Sequence, residues 1–536
     1  MTTIGILEWF RLGEYERVEQ VLRDLKALGI QQLRTGVSWA DWHTTYGQDW
    51  YAWLLPRLAQ EVEILPCFLY TPPSLGVVPR IAAPPREPKA YGDFLDEMIT
   101  RFGEYFEWVE LWNEPNNVSE WDWTLDPEWW IFTEMVGGAA HWVQQRGKKT
   151  VLAGMSPVDP NWLKLMCDRG VLAYINAIGI HGFPGNWEYA WEGWHKNVAK
   201  VQAVLDQYGS QAKVWITEAG FSTWQHNEHR QLHEFINALD APVDRIYWYG
   251  AHDLNPNFPT IDGFHTDERE YHFGLKRTDN IPKLLFRLWA SEGLPAVRNM
   301  TQIGNRDEAT STSLYSPQPV LITGGAGFIG TNLADRLLSL GQPVRLFDNL
   351  SRPGVEQNLR WLKSRYGDLV QIEIADLRDR FALRQALQDV SQVFHFAAQV
   401  AVTTSVTNPF NDVEDLVDAF LLAQENIHAL SGQAFNIGGG IDNTISLVEF
   451  IELIGKIHGK KPPVDFDTWR PGDQRYYVSD SSKFQSATGW TPSTSIRQGV
   501  RQLYQWLLEN SKITELPSLP LFSSSLGTQY AQAPLR

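Results

Sequence analysis

Two glutamates, Glu114 and Glu218, each end a short apolar run, in the segments WVELWNEPN (108–116) and KVWITEAGFS (213–222). Carboxyl groups at the ends of two parallel strands can meet in one pocket, where one transfers a proton and the other attacks as a nucleophile. Far downstream, the segment VLITGGAGFIG (320–330) has the glycine pattern that cradles the phosphates of a dinucleotide between a strand and a helix. The chain therefore carries two separate sets of chemistry-bearing residues.

Apolar strand-like runs alternate with amphipathic helical stretches from residue 3 to about residue 292, which predicts a parallel α/β fold. Eight such runs can be counted, and eight β/α repeats predict a (β/α)8 TIM barrel. Barrel enzymes carry their catalytic groups at the carboxyl ends of the strands, where Glu114 and Glu218 lie on strands four and seven. The predicted strands are 3–9, 31–39, 63–70, 108–113, 149–155, 177–183, 213–218 and 243–250.

The barrel segment, residues 1–295, resembles the large clan of retaining barrel glycosidases, and within it the β-xylosidase-like families. The resemblance rests on Asn113-Glu114-Pro115, which matches the Asn-Glu-Pro hallmark of the clan, and on Glu218 at the end of strand seven. It implies that Glu114 is the acid/base, that Glu218 is the nucleophile, and that Asn113 binds the sugar 2-hydroxyl. A retaining mechanism needs the two carboxyl groups about 5–5.5 Å apart, a spacing that strands four and seven can supply across the barrel mouth.

Three further residues have substrate-binding roles by the same resemblance. Arg34, in LRTGVSW, would hold the nucleophile ionised through a charge-assisted hydrogen bond. Trp248, at the end of strand eight, would stack on a sugar ring. His181 would contact the substrate at the end of strand six, although a lone histidine after an apolar strand is about as often structural. The tryptophans of the loops after strands four and six are the candidates for the cleft wall: Trp121, Trp123 and Trp187.

The composition excludes several classes of protein. The 536 residues, 43% of them hydrophobic and 20% charged, are too many for one core and include no apolar run long enough to span a bilayer. A formal charge of −17 argues against nucleic-acid binding, which uses clustered Lys and Arg. Cys67 and Cys167 are too few for a disulfide framework, and the N-terminus lacks a signal-peptide pattern, so we expect a cytoplasmic protein. We predict a carbohydrate substrate and no metal ion.

The pattern after residue 319 predicts an incomplete Rossmann-type doubly wound parallel sheet. Gly324 would allow the tight turn, Gly327 would let the backbone approach the pyrophosphate, and Gly330 would permit close helix packing. Asp348 ends the second strand and suits the ribose hydroxyls of adenosine, which favours NAD over NADP. The predicted elements are strand 320–323, helix 328–340, strand 343–347, helix 354–364, strand 371–374, helix 379–388 and strand 392–396.

Two polar segments without periodicity set the predicted domain boundaries. RNMTQIGNRDEATSTSLYSPQ reads as a linker, and the Ser-, Pro- and Leu-rich C-terminal segment reads as disordered. We predict a barrel over 1–297, a linker over 298–318, a truncated NAD-binding domain over 319–512 and a disordered tail over 513–536.

The second domain resembles the extended short-chain dehydrogenase/reductase family, and specifically nucleotide-sugar epimerases of the CDP-tyvelose or CDP-paratose 2-epimerase kind. FDNLSRPGVEQNLRWL (347–362), HFAAQVAVTTSV (395–406), FNIGGG (435–440) and RPGDQRYYVSD (470–480) carry the resemblance. It implies that Arg470 and Arg475 face the nucleotide diphosphate of the substrate. It also implies an NAD site formed by Gly324, Gly327, Phe328, Ile329, Gly330, Asp348, Asn349, Asp376, Leu377 and Ala397.

The chain departs from that family after Thr407-Asn408-Pro409. The family continues with further strands and a helix bearing Tyr-x-x-x-Lys, whereas this chain passes directly to VEDLVDAFLLAQEN (413–426), so on the order of a hundred residues are missing, about what a second mononucleotide half occupies. No Tyr-x-x-x-Lys occurs anywhere in the sequence, and this pair supplies the base for hydride transfer. The loss also exposes a sheet edge. Either the helix over 411–426 covers this edge, or a second copy of the chain in a homo-oligomer does, or this half is poorly folded.

Three hypotheses follow from these patterns. The first is a retaining glycosidase fused to a degenerate nucleotide-sugar domain that binds NAD weakly but does not epimerise. The second is a non-catalytic protein that binds or senses carbohydrates and nucleotide sugars. The third is an active NAD-dependent epimerase, which would need its missing groups from elsewhere. In a further alternative, the glycine loop is a structural remnant that binds no cofactor.

Overall fold

Eight parallel strands close into a barrel, each paired with its neighbours in chain order and the first with the last. The structure is a computed structural model that describes residues 2–186, 188, 190–224, 227–255, 268–303, 318–397, 411–465 and 478–510. All eight predicted barrel strands are confirmed. They are β1 Thr3–Leu7, β2 Gln32–Ser38, β3 Glu63–Leu69, β4 Trp108–Leu111, β5 Lys149–Met155, β6 Ala177–Gly182, β7 Lys213–Ala219 and β8 Arg245–Tyr249.

The sequence of these strands explains their burial. Strands β3, β5 and β7 each begin with one exposed charged residue, Glu63, Lys149 or Lys213, and continue with six buried residues. Such runs suit parallel strands that are covered on both faces, by side chains inside the barrel and by helices outside it. The residues directly after β3 and β4 are in the left-handed region, Tyr70 with φ 67° and Trp112 with φ 73°. The chain turns there into the loops of the barrel mouth.

Helices follow the strands and form the outer layer. Several begin or end at residues with clear capping chemistry: Asp159 accepts from the backbone N–H groups of Asn161 and Trp162, and Gly29, with φ 68°, ends the first helix. The helices are α1 Tyr15–Leu28, α2 Trp39–Trp42, α3 Gly47–Ala59, α4 Lys89–Phe102, α5 Trp130–Gln145, α6 Pro160–Asp168, α7 Trp194–Gln207, α8 Glu228–Leu239, α9 Leu284–Glu292 and α10 Leu294–Ile303.

Helix α10 corrects part of the predicted linker. Residues 298–303 are helical, and Val297 and Met300, three positions apart on one helix face, are completely buried. The polar residues between them hid this spacing in the sequence. Residues 304–317 and the predicted tail lie outside the described residues.

A second sheet of four parallel strands has the order β11-β10-β9-β12, as in the first half of a Rossmann fold extended by one strand. The strands are β9 Val320–Thr323, β10 Val344–Asp348, β11 Val370–Ile374 and β12 Gln392–His395. Within the described part of the chain, β12 pairs only with β9, and the Val393 side chain is 47% exposed, so this edge of the sheet is open there. The remaining helices are α11 Phe328–Ser339, α12 Val355–Tyr366, α13 Arg380–Ala386, α14 Asn411–Glu425, α15 Ile427–Leu430, α16 Leu447–His458, α17 Ser482–Thr488 and α18 Ile496–Asn510.

The chain divides into two compact units that do not follow the predicted domain boundaries. The first contains residues 1–327 and 341–397, and therefore the barrel together with strands β9 to β12. The second contains Phe328–Leu340 and the described residues from 411 onward, with a small core around Ala419, Leu430, Phe484 and Trp490. None of the helices described is both long enough and apolar enough to cross a membrane.

Candidate active site

Glu114 and Glu218 meet at the mouth of the barrel. Glu114 lies three residues beyond β4, with φ 36°, and Glu218 is the penultimate residue of β7, in register with His181 of β6. One carboxyl oxygen of each glutamate and a ring nitrogen of His181 all lie within 4.8 Å of one another. The two glutamates are nearly buried, with exposed fractions of 9% and 6%.

The guanidinium of Arg34 joins the predicted site residues into one network. Its Nη1 donates to Glu218 Oε1 at 2.6 Å, its Nη2 donates to Asn113 Oδ1 at 2.7 Å, and its Nε donates to Glu110. Burial opposes the charge of this side chain, yet the carboxylates of Glu110 and Glu218 keep the pKa of Arg34 well above its usual value. The sequence analysis missed Glu110, although a carboxyl in the middle of the apolar run WVEL was the available signal.

His181 is completely buried between the two glutamates. Its Nδ1 lies 2.8 Å from Glu114 Oε1 and 3.6 Å from Glu218 Oε2, and its Nε2 lies 3.0 Å from Thr217 Oγ1. Burial lowers the pKa of the ring to about 4, so the imidazole is neutral at pH 7. Gly154 of β5 leaves the space for the ring, because a Cβ there would lie 1.9 Å from Nε2.

The two glutamates differ in their contacts with positive charge. Burial raises the pKa of both. Arg34 donates directly to Glu218, whereas Glu114 accepts from the neutral amide of Asn117, whose Nδ2 lies 3.0 Å from Oε2. A direct charge-assisted bond stabilises a carboxylate more than a neutral donor does. Glu218 is therefore the residue best suited to stay ionised, and Glu114 the one best suited to hold a proton.

The structure does not bring Trp248 to this site. Trp248 is 1% exposed and packs edge-on against Phe235 of α8, with ring centroids 5.2 Å apart. Successive side chains of a strand point to opposite faces, so Tyr247 and Tyr249 face the barrel interior and Trp248 faces the helices. Burial, with the Glu8 and Glu218 carboxyls, raises the pKa of Tyr249. The aromatic ring at the strand end is therefore that of Tyr249, which the alternation along β8 could have indicated.

The predicted cleft tryptophans have different positions. Trp121 is completely buried and packs edge-on against Trp112, with ring centroids 5.3 Å apart, so it belongs to the core. Trp123 is 40% exposed, and Trp187 lies outside the described residues. Trp9, which the sequence analysis did not select, lies with its ring centroid 5.5 Å from the Arg34 guanidinium carbon and is only partly buried.

Glu114, His181 and Glu218 also present three atoms of the kinds that bind metal ions. Their environment favours a different use. Arg34 donates to Glu218 at 2.6 Å, and its fixed positive charge would repel a cation in the same space. His181 already contacts Glu114 and Thr217 through its two ring nitrogens. The arrangement matches a hydrogen-bonded acid and nucleophile better than a metal centre.

The glycine-rich loop of the second sheet forms a tight turn. Gly324 has φ 68°, and a Cβ on it would lie 2.8 Å from the backbone nitrogen of Ala397, so both its conformation and its surroundings require glycine. The backbone N–H of Gly327 donates to the Gly324 carbonyl at 3.0 Å, and a Cβ on Gly327 would lie 3.1 Å from that oxygen. Helix α11 starts immediately after the loop, with Phe328, Ile329 and Gly330 in its first turn.

The acidic residues predicted to bind the nucleotide lie at the ends of β10 and β11. Asp348 accepts from the backbone N–H groups of Ala326 at 3.1 Å and Leu350 at 2.9 Å. Asn349 donates to Asp376 at 2.9 Å, and although partial burial opposes ionisation, hydrogen bonds from Arg378 and Asn349 lower the pKa of Asp376 to about 2. Leu377 packs against the small core below the sheet, and Arg470 and Arg475 lie outside the described residues.

Known proteins resemble the chain both in structure and in sequence. Solved structures similar to it include a GH5_18 protein from Streptomyces cattleya in complex with GlcNAc, with 13% identity, a TM-score of 0.39, and coverage of 74% of this chain and 98% of that chain. Another is the exo-β-1,4-mannosidase Op5Man5 from Opitutaceae bacterium strain TAV5, with 12% identity, a TM-score of 0.40, and coverage of 74% and 77%.

The C-terminal part matches a family at the sequence level. Residues 321–415 match the family model described as GDP-mannose 4,6 dehydratase. CDP-paratose 2-epimerase of Salmonella typhi is 43% identical over 334 aligned positions, which span 98% of that protein but only 35% of this chain, so the relative contains a long segment with no counterpart here. With this identity and coverage, the chain belongs through its C-terminal part to the family of nucleotide-sugar epimerases and dehydratases that includes CDP-paratose 2-epimerase.

Proposed function

We propose that the barrel is a retaining glycoside hydrolase in which Glu114 is the acid/base and Glu218 is the nucleophile. The observation that carries the proposal is the separation of the two carboxyl groups, which have oxygens within 4.8 Å of each other. Retaining enzymes hold their carboxyl groups about 5–5.5 Å apart, whereas inverting enzymes leave about 6.5–9.5 Å for a water molecule. The close spacing leaves room for direct attack on the sugar.

In the proposed reaction, Glu114 and Glu218 act in two successive steps. In the first step, the Glu218 carboxylate forms a bond to the anomeric carbon while Glu114 gives its proton to the departing glycosidic oxygen. In the second step, Glu114 takes a proton from water, the water oxygen bonds to the anomeric carbon, and the bond to Glu218 breaks. Arg34 stabilises the carboxylate form of Glu218 before attack and after release. The substrate class is a neutral β-glycoside, in agreement with the resemblance to β-glycosidases and with the net charge of −17.

A panel of aryl glycosides with different sugars tests this function. We expect hydrolysis of at least one β-glycoside, with a product that first appears in the configuration of the substrate when followed by NMR. Hydrolysis with inversion would contradict the nucleophilic role of Glu218. If none of the panel is hydrolysed, the non-catalytic carbohydrate-binding alternative replaces the proposal.

We further propose that the C-terminal part binds NAD through its adenosine half and does not epimerise nucleotide sugars. The turn at Gly324 packs closely on the chain after β12, where a Cβ would lie 2.8 Å from the Ala397 nitrogen, and such a tight glycine turn is the loop conformation that suits a pyrophosphate. Asp348 accepts from backbone N–H groups at both of its oxygens, and a carboxylate with about four acceptor positions keeps at least one for a ribose hydroxyl. Bound NAD would supply a hydride acceptor. The missing Tyr-x-x-x-Lys leaves the sugar without a base, so binding without turnover is the expected result.

A further inference from the structure

Glu120 is a carboxyl group of the barrel mouth to which the proposed mechanism gives no role. It lies in the loop after β4 and is 3% exposed. Its backbone is fixed, since its N–H donates to the Asn117 carbonyl at 2.9 Å and its carbonyl accepts from the Trp112 indole at 3.1 Å. Its Oε1 accepts from Asn113 Nδ2 at 2.9 Å, while its Oε2 is buried and makes no hydrogen bond of ordinary geometry within the ranges the structure describes.

The contact with Asn113 completes a clamp on that side chain. Arg34 donates to Asn113 Oδ1 at 2.7 Å, and Asn113 Nδ2 donates to Glu120 at 2.9 Å, so the amide is oriented from both ends. An amide nitrogen carries two hydrogens, and Glu120 uses one of them. The second is free to donate to a ligand in the pocket, in a direction that Glu120 and Arg34 together determine.

The charges around this clamp determine the state of Glu120. One guanidinium, that of Arg34, serves several buried carboxyls: it donates directly to Glu110 and Glu218, and reaches Glu120 only through the neutral Asn113 amide. The other ionisable neighbours add no positive charge. Burial and the carboxyl of Glu114 raise the pKa of Glu120 well above its usual value.

The Tyr70 phenol lies within hydrogen-bonding reach of the same carboxyl. Burial and the Glu120 carboxyl raise the pKa of its phenol, which therefore stays neutral. An ionised Glu120 would be a buried charge without a cationic partner, which costs far more than a neutral acid in the same place.

We propose that Glu120 is a positioning residue which, as a neutral carboxylic acid, orients Asn113 toward the sugar hydroxyl beside the anomeric carbon. This inference rests on the proposed glycosidase function. A hydrogen bond to that hydroxyl is most valuable when its donor is held in place before the reaction, since a misplaced group loses much of its effect. Glu120 thus acts on the reaction through Asn113 without touching the substrate.

Two substitutions separate this role from a general structural one. Glu120→Gln keeps a neutral group with an acceptor for Asn113, so we expect kcat/KM within about threefold of wild type. Glu120→Ala removes the clamp and should lower kcat about 10- to 100-fold on glycosides with a 2-hydroxyl, with little change in KM. On the matching 2-deoxy glycoside, the same variant should lie within about threefold of wild type. Equal losses on both substrates, or a Glu120→Gln loss as large as that of Glu120→Ala, would overturn the proposal.

Infrared difference spectroscopy tests the protonation state without turnover or a ligand. At neutral pH, the spectrum of Glu120→Gln should lack a protonated carboxyl band that is present in the wild-type spectrum. Glu228→Gln is the matched control, because Glu228 is 1% exposed and bound to Arg277 at 2.6 Å, so its spectrum should lose a carboxylate band. Loss of a carboxylate band for Glu120 would refute the inference. If the glycoside panel fails, the glycosidase proposal falls, and this measurement still decides the state of Glu120.

Discussion

The Arg34 guanidinium gives the two central glutamates different electrostatic surroundings. It has one direct bond to Glu218 and none to Glu114, although the two carboxyls have similar burial. Since desolvation penalises both negative charges, the available positive charge decides which carboxyl keeps its proton. The neutral His181 ring between them can bridge both glutamates without adding a charge.

Substitution of the two glutamates should therefore have different consequences. Glu218→Gln should abolish turnover, because no covalent intermediate can form. Glu114→Ala should lower the rate on substrates with poor leaving groups by about 10²–10⁴-fold, the usual contribution of a positioned acid or base. With an activated aryl leaving group the first step should be spared, and added azide should restore turnover by giving a glycosyl azide, detected by NMR. Azide rescue of Glu218→Gln with the same product configuration would reverse the two assignments.

The Asn117 amide should set the alkaline limit of activity. It donates to Glu114 Oε2 at 3.0 Å, and this bond lowers the pKa of the acid, which burial otherwise raises. Glu114 must be protonated for the first step, so activity is lost as pH rises through its pKa. Asn117→Ala should raise that pKa and move the alkaline limb of the kcat/KM profile upward, by roughly half a unit to one unit. The exposed Asn161→Ala is the control and should leave the limb in place. A downward shift for Asn117→Ala would show that the amide does not act on the ionised form.

Motif and strand position were enough to select most of this site from the sequence. Asn113, Glu114 and Glu218 stand where strands of a barrel end, and Arg34 and His181 stand on two further strands. The prediction that Trp248 lines the site was wrong, because the pleat of β8 turns this side chain toward α8. The contact between Glu120 and Asn113 could not be predicted from the sequence. It depends on a turn in an irregular loop, and no periodic pattern of residues indicates the path of such a loop.

At the scale of elements, a small residue on β5 makes room for a large side chain on β6. Gly154 on β5 stands beside the His181 ring of β6, where a Cβ would approach within 1.9 Å of Nε2. A second small residue, Gly179, similarly faces Thr217, the hydroxyl that holds the other side of the ring. At these two positions a glycine leaves the room that a polar side chain of the neighbouring strand occupies.

Gly154→Ala should displace His181 and disturb both glutamates. We expect a loss of about tenfold or more in kcat, together with destabilisation of about 1–3 kcal/mol, the usual cost of overpacking. Gly138→Ala is a matched control, since it lies exposed within α5 with nothing near its would-be Cβ, and should stabilise the protein by about 0.5–1 kcal/mol. Thermal unfolding and steady-state kinetics should be measured on the same samples of both variants and wild type. Unchanged activity in Gly154→Ala would show that His181 has no part in positioning the glutamates.

At the scale of the whole molecule, two parts with different chemistry share one chain. The barrel carries the residues of the proposed hydrolysis, whereas the second sheet has four strands among the described residues and the sequence has no Tyr-x-x-x-Lys. The barrel strands and the first four strands after it were predictable because each is a short apolar run between polar turns. The helical part of the linker, residues 298–303, was not, because polar residues separate the buried Val297 and Met300 and hide their helical spacing.

We expect the C-terminal part to bind NAD without epimerising nucleotide sugars. Calorimetry should detect weak NAD binding to wild type and none to Asp348→Ala, because that carboxyl is the proposed acceptor for the ribose hydroxyls. Asp368→Ala, in the turn before β11, is the control and should bind NAD as wild type does. Incubation with CDP-, UDP-, GDP- and dTDP-sugars should give no epimer above the level without protein. Epimer formation would overturn the proposal, and no heat with NAD would reduce the glycine loop to a structural remnant.

The pairing of Arg34 with a glutamate that is distant in sequence has a consequence for synthesis on the ribosome. Arg34 and Glu218 are 184 residues apart in the chain. At translation rates of about 5–20 residues per second, the arginine emerges roughly 10 to 40 s before its carboxylate partner exists. Glu110, only 76 residues away, is available much sooner. Glu110 is therefore available to pair with Arg34 before β7 has been synthesised.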